Sequence, residues 1–149
     1  MQQGIQILVV DDDADVRQCI KLLLEHDGHE VTPADSGEAA LAQLAQRKFD
    51  LVITDFSMPG MQGDQLVARI RQLMPNQPII MTTGFVEEYK VFGQESGRVD
   101  ALLLKPFSHE DLHEAVEKAL PHEHPDQTSG MPSIIESSPS PDFIPPPEP

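Results

Sequence analysis

The chain has 149 residues, close to the size of one domain, and carries 10 Lys+Arg against 25 Asp+Glu for a formal net charge of −15. That acid excess argues against a nucleic-acid surface, which needs a basic stripe to neutralise phosphates, and against docking on an anionic membrane. A single cysteine, Cys19, excludes an intramolecular disulfide and a multi-cysteine zinc site. No apolar run is long enough to span a bilayer, and Met1-Gln2-Gln3 leads into Ile5–Val10 without a basic leader, so a cytoplasmic setting is expected.

Five apolar, β-branched runs predict strands at Ile5–Val10, His29–Ala34, Asp50–Thr54, Pro78–Thr82 and Val99–Leu104. Helical spacing fills the intervals. Val16, Ile20 and Leu23/Leu24 mark the first helix, Ala39-Ala40-Leu41 with Leu44 the second, and Leu66, Ile70 and Leu73 the third. A weaker helical stretch covers 85–94, and Leu112, Val116 and Leu120 mark the last helix. Gly28 stands where a left-handed C-terminal cap belongs, Ser36 where an N-cap belongs, and Ser108-x-x-Asp111 has the outline of a capping box. Asp13 is expected to cap the first helix, and Cys19 to sit in or beside the core. His109 and His113 lie one turn apart with His122 and His124 following; solvated positions on the outer face of the last helix are expected, a weak surface metal site being the alternative.

Alternating strands and helices predict an α/β fold with a parallel sheet covered on both faces. Runs such as Ile7-Leu8-Val9-Val10 and Leu51-Val52-Ile53 are what doubly buried strands require. Composition changes at Pro121. The last 29 residues hold nine of the 14 prolines, five serines, five acids and no base. Too little bulky apolar surface remains there to offset the entropy of ordering. Residues 4–120 are therefore read as the domain and 121–149 as a disordered Pro/Ser-rich acidic tail, with no strand after Lys105.

In open parallel sheets, ligands collect beyond the carboxyl ends of the strands. At those ends stand Asp11-Asp12-Asp13, Asp55, Thr82-Thr83 and Lys105-Pro106. Carboxylates brought within ~4 Å repel by several kcal/mol per pair at an effective dielectric of ~20, so such a cluster needs a counter-ion. Oxygen ligands alone select a hard cation such as Mg²⁺. A lysine and a hydroxyl beside them suit a phosphoryl group, with one carboxylate able to attack phosphorus. A calcium loop at Asp11-x-Asp13-x-Asp15 fails, because Val16 stands where glycine is needed and Leu22 where glutamate is. An aspartate-nucleophile phosphatase shares the Asp-x-Asp spacing but needs further acids after a later strand.

Ile7-Leu8-Val9-Val10-Asp11-Asp12-Asp13, Asp50–Gly63 with its Thr54-Asp55-Phe56-Ser57-Met58-Pro59-Gly60 core, Thr82-Thr83-Gly84 and Leu104-Lys105-Pro106-Phe107 resemble the receiver domain of two-component response regulators. The resemblance covers about residues 4–120, with the motifs in order. It implies a flavodoxin-like, doubly wound, five-stranded parallel sheet of order 2-1-3-4-5 with five helices. It implies that Asp55 accepts a phosphoryl group from a sensor histidine kinase or phosphotransfer protein. Mg²⁺ would be bound by Asp12 directly, by Asp11 mostly through water, by Asp55 and by the backbone carbonyl of Ser57. Lys105, with a cis bond to Pro106, would pair with the phosphoryl oxygens. Thr83 would swing its hydroxyl onto them, altering the face made by the fourth predicted helix, the fifth strand and the last helix.

Such a chain would be a signalling switch, catalysing only its own phosphorylation and dephosphorylation, with an unknown downstream protein target. Once the tail is subtracted, no residues remain for a DNA-binding output domain. The alternative is a degenerate receiver serving as a phosphorylation-independent binding scaffold. Leu102 stands where switching members carry an aromatic residue, Arg98 where a glycine commonly ends the fourth helix, and Gln62 replaces the usual acid before Gly63. Phe85, two residues after Thr83, is expected to shield the phosphoryl group from water.

Overall fold

The computed structural model describes residues 4–85, 99–121 and the backbone of 133–135. In chain order the elements are β1 (Gln6–Val10), α1 (Ala14–His26), β2 (Glu30–Ala34), α2 (Gly37–Gln46), β3 (Leu51–Asp55), α3 (Gly63–Leu73), β4 (Ile79–Thr83), β5 (Ala101–Leu104), α4 (His109–Ala119) and β6 (Ser133–Ile135). All strand pairs are parallel, and the sheet order is β2-β1-β3-β4-β5-β6. The expected order 2-1-3-4-5 is present, extended by one strand. The helical stretch expected over 85–94 lies outside the described residues apart from Phe85, so four helices are seen among those residues.

Period-two alternation along the strands divides the core. Leu8, Val10, Val52, Met81 and Leu102 point to one face, where they meet Ala40 and Leu44 of α2 and Leu66, Val67 and Ile70 of α3. Ile7, Val9, Leu51, Ile53, Ile80 and Leu103 point to the other, against Ile20 and Leu24 of α1 and Leu112, Ala115 and Val116 of α4. β3 and β4 are buried along their whole length, as strands covered on both faces must be. Pro33 is the fourth of five residues in β2, an outer strand, where a missing N–H is tolerated.

The helix ends follow the side-chain chemistry read from the sequence. Asp13 caps α1, accepting from the amides of Asp15 at 2.9 Å and Val16 at 3.3 Å. Ser36 accepts from the Ala39 amide at 3.0 Å. Ser108 and Asp111 exchange two 3.0 Å bonds that close the capping box of α4. Gly28 follows the C-cap of α1 with φ +95°, a left-handed conformation that favours glycine. The buried ring of His29 then accepts the Ile5 amide on Nδ1 at 3.2 Å, fastening the α1–β2 turn to the start of β1.

Two expectations are corrected. Cys19 is exposed rather than in the core, lining an open cavity with Val16, Ile20 and Phe107 at the core's edge while Ile20 and Leu24 take the buried positions. Residues Ser133–Ile135, within the segment read as a disordered tail, form β6 in register with Ala101–Leu103. Composition argued against order there, but β5 offers an open row of backbone donors and acceptors, and α4 provides the crossover that returns the chain parallel to it.

Candidate functional site

Strand register brings the polar strand ends together. Val10 pairs with Thr54, Asp55 with Thr82, and Thr83 with Leu104, so Asp11, Asp55, Thr82, Thr83 and Lys105 emerge side by side. Two cross-links hold the loops at this edge: Phe56 donates its amide to the Thr82 carbonyl, and Lys105 donates its amide to the Thr83 carbonyl, both at 2.8 Å. The Lys105–Pro106 peptide is cis.

Asp11 is 1 % exposed. Its Oδ1 accepts the Asp13 amide at 2.9 Å, and its carbonyl accepts from Arg17 Nη1 at 2.7 Å. These bonds fix the turn from β1 into α1 and leave Oδ2 facing the site. Asp12 is exposed on the rim, whereas Asp55 is 6 % exposed at the end of β3. Donor atoms of Asp11, Asp12 and Asp55 all lie within 4.8 Å of one another.

Lys105 reaches across to this trio. Its Nζ stands 3.0 Å from Asp55 Oδ1 and 3.3 Å from Asp11 Oδ2. Burial raises the Asp55 carboxyl above its ordinary range, the charge of Asp11 raises it further, and Lys105 opposes both. Burial alone would lower the ammonium of Lys105, but the hydrogen bond and charge of Asp55, then Asp11, outweigh it and leave Lys105 raised. The two partners move the same way for one reason. Lys105 pairs with both Asp55 and Asp11 while Asp12 adds a further negative charge beside them, so the lysine is held firmly charged and Asp55 keeps an excess of negative neighbours. Oxygen-only donors with surplus negative charge fit a hard divalent cation.

The two threonines differ. Thr83 turns its hydroxyl toward the following loop, accepting the Phe85 amide at 3.1 Å, rather than toward Asp55. Thr82 sets its hydroxyl 3.5 Å from Asp55 Oδ1, a long contact between register partners. Phe85 is 67 % exposed in this arrangement. Ser57 is exposed two residues beyond Asp55. Leu102 is fully buried in the core, so strand β5 carries no aromatic ring that could pivot beside Thr83.

Sequence reasoning brought Asp11, Asp12, Asp55, Thr83 and Lys105 to this edge, and the geometry gathers them there. It missed Arg17, whose guanidinium secures the Asp11 carbonyl one helical turn into α1. The signal available was a basic residue six positions after the first acid of the cluster.

The family profile described as the response regulator receiver domain matches residues 7–117. Chemotaxis protein CheY-3 of Vibrio cholerae is 34 % identical over 121 residues, covering 79 % of this chain and 93 % of that protein. Transcriptional regulatory protein ZraR of Salmonella typhimurium is 38 % identical over 143 residues, 91 % of this chain but 32 % of ZraR, so the chain spans about a third of that relative's length. Among solved structures, chemotaxis response regulator CheY4 of Vibrio cholerae superposes with a TM-score of 0.72 at 33 % identity, covering 80 % of this chain and all of that one. Parallel strand order, an acidic trio with Lys105 beside it, and a profile match over residues 7–117 agree, and the chain belongs to the response regulator receiver domain family.

Proposed function

We propose that this chain is a phosphorylation-controlled switch in a two-component phosphorelay, with Asp55 as the phosphoacceptor. The observation that carries this reading is the placement of Lys105 Nζ 3.0 Å from Asp55 Oδ1 and 3.3 Å from Asp11 Oδ2. An Asp55 oxygen attacks phosphorus in the phosphohistidine of a sensor kinase or phosphotransfer protein. The O–P bond forms as the N–P bond breaks, and the imidazole leaves with the electron pair. Asp11, Asp12, Asp55 and the Ser57 carbonyl are the residues that would hold Mg²⁺, which when bound neutralises charge on the transferring group. Lys105 exchanges its contact with the carboxylate for one with the new phosphoryl oxygens.

Release of the Thr83 hydroxyl from the Phe85 amide lets it donate to the new dianion and draw in the loop after β4. That gives a local charge change a route to the face containing β5 and α4. The net charge of −15 supports a protein rather than a nucleic acid as the downstream target.

Incubation with acetyl phosphate and Mg²⁺ followed by intact mass measurement tests this. A phosphoryl adduct on the wild type that is absent from Asp55→Asn is expected. An unmodified wild-type protein would favour the scaffold reading, in which the acidic cluster binds no phosphoryl group.

A further inference from the structure

The sixth strand returns the chain to the acidic edge. α4 carries it away from that edge, and β6 then runs parallel to β5, with Ser133 level with Ala101 and Ile135 level with Leu103. Lys105 lies two residues beyond Leu103, so by strand spacing and rise the chain leaves β6 roughly 8 Å from the lysine backbone. Residues 136–149 continue from that point, and their bulky apolar side chains are Phe143 and Ile144. Beside the same lysine, an open cavity of about 510 Å³ lies between α1 and the loop after β5. Val16, Cys19, Ile20, Pro106 and Phe107 give it an apolar lining, and Asp15 and Lys105 are its charged members.

We propose that this cavity is the docking site of the chain's own Phe143-Ile144 pair, delivered by β6 and seated on the Lys105 side of the acidic site. Three observations support it. Reach is sufficient: Phe143 is eight residues after Ile135, an extended span of roughly 26 Å, and the span begins within roughly 8 Å of Lys105. Size and chemistry match. The cavity falls within the about 300–1,000 Å³ typical of ligand pockets, which are lined chiefly by apolar side chains, and the pair offers one aromatic and one branched aliphatic group. The ordering cost is reduced, because Pro141 and Pro145-Pro146-Pro147 bracket the pair and restrict its backbone before it docks. A segment tethered this closely meets the cavity at an effective concentration on the order of millimolar, so a modest affinity fills it. The seated pair restricts the approach of a phosphodonor protein along the Lys105 flank. That consequence rests on the switch reading, whereas the docking itself does not.

Cys19 is the chain's single cysteine and lines the cavity, so its rate of reaction with a maleimide reports occupancy. In the full chain, the double variant Phe143→Ser, Ile144→Ser should label roughly fourfold faster than wild type, the ratio for a segment seated about three-quarters of the time. The double variant Ile134→Pro, Ile135→Pro should label faster as well, because proline removes amides from the β6 ladder and releases the anchor. A synthetic peptide of residues 136–149, at about millimolar concentration, should slow labelling of the Phe143→Ser, Ile144→Ser variant again, and a scrambled peptide should not. Equal rates in wild type and the Phe143→Ser, Ile144→Ser variant overturn the proposal. So does wild-type protection that survives release of β6, or protection that strengthens with protein concentration, which would make a second copy the occupant. Labelling of Cys19 needs no phosphoryl transfer, so its failure leaves the Asp55 reading standing, and a missing acetyl-phosphate adduct leaves the docking standing.

Discussion

Gly63 lies flush against the backbone of Asp55. A Cβ built at position 63 would overlap the Asp55 carbonyl oxygen and stand 2.8 Å from Phe56 Cα, while the Gly63 amide donates to the Phe56 carbonyl at 2.8 Å. The start of α3 is thereby pressed onto the segment that carries the Asp55 carboxylate. Gly63→Ala must push backbone rather than a flexible side chain. It is expected to cost about 2–3 kcal/mol in urea denaturation and to slow acetyl-phosphate labelling of Asp55. A variant as stable and as fast as wild type would show that the loop yields freely.

Asp55 predicts an inverse relation between charge and stability. Burial, then Asp11, raises its folded-state value above the ordinary 3.8 despite Lys105. A carboxylate raised in the folded state contributes stability that is fully present below 3.8 and is lost as pH rises through the folded value. At neutral pH without divalent ions, the ionised group is then a net cost. Asp55→Asn should unfold at a higher urea concentration than wild type in chelator, and Mg²⁺ should narrow the gap by binding the folded wild type. An earlier unfolding midpoint for Asp55→Asn in chelator would contradict this account.

Asp13 separates capping from metal binding. Its side chain accepts two amides of the first turn of α1 and is outside the trio of converging donors. Asp13→Ala should cost about 1 kcal/mol of stability and leave Mg²⁺ affinity, read by fluorescence or calorimetry, unchanged. A large loss of Mg²⁺ affinity would make Asp13 a ligand.

His29 sets an acid limit. Burial lowers its folded-state value, with Asp27 opposing and His113 adding to the lowering, and its Nδ1 must stay unprotonated to accept the Ile5 amide. The unfolded chain takes up the proton that the folded one refuses. Stability should therefore fall as pH drops below 6.5 toward the folded value. The midpoint of urea unfolding measured between pH 7.5 and 5 should decline less steeply in His29→Gln, which keeps an acceptor without the titration. Parallel slopes in the two proteins would remove His29 as the cause.

Much of the fold was legible because the strongest signals are local. β1, β3 and β4 are read from unbroken apolar runs, and the caps at Asp13, Ser36 and Ser108 from hydroxyl or carboxylate side chains placed where orphan amides begin. The acidic edge was legible because strand ends in a parallel sheet converge once their order is known. What failed depended on partners distant in sequence. Ile134 and Ile135 sit among prolines, and only the open flank of β5 turns them into a strand. His109 and His113 carry no mark of Asp27, which reaches them solely because α1 and α4 cover the same face of the sheet. Cys19 was misplaced for a smaller reason: it sits next to Ile20, and the helical phase between adjacent residues decides which one turns inward.

The two outermost strands have a consequence for crowded solutions. β2 has Pro33 as the fourth of its five residues, a position with no amide to offer an incoming chain, and β6 closes the opposite flank with only three residues. Neither margin is a good template for growth by strand addition, so self-association that leads toward fibrils meets a poor seed at both ends. Protection of this kind matters most for a sheet whose middle strands are almost wholly aliphatic.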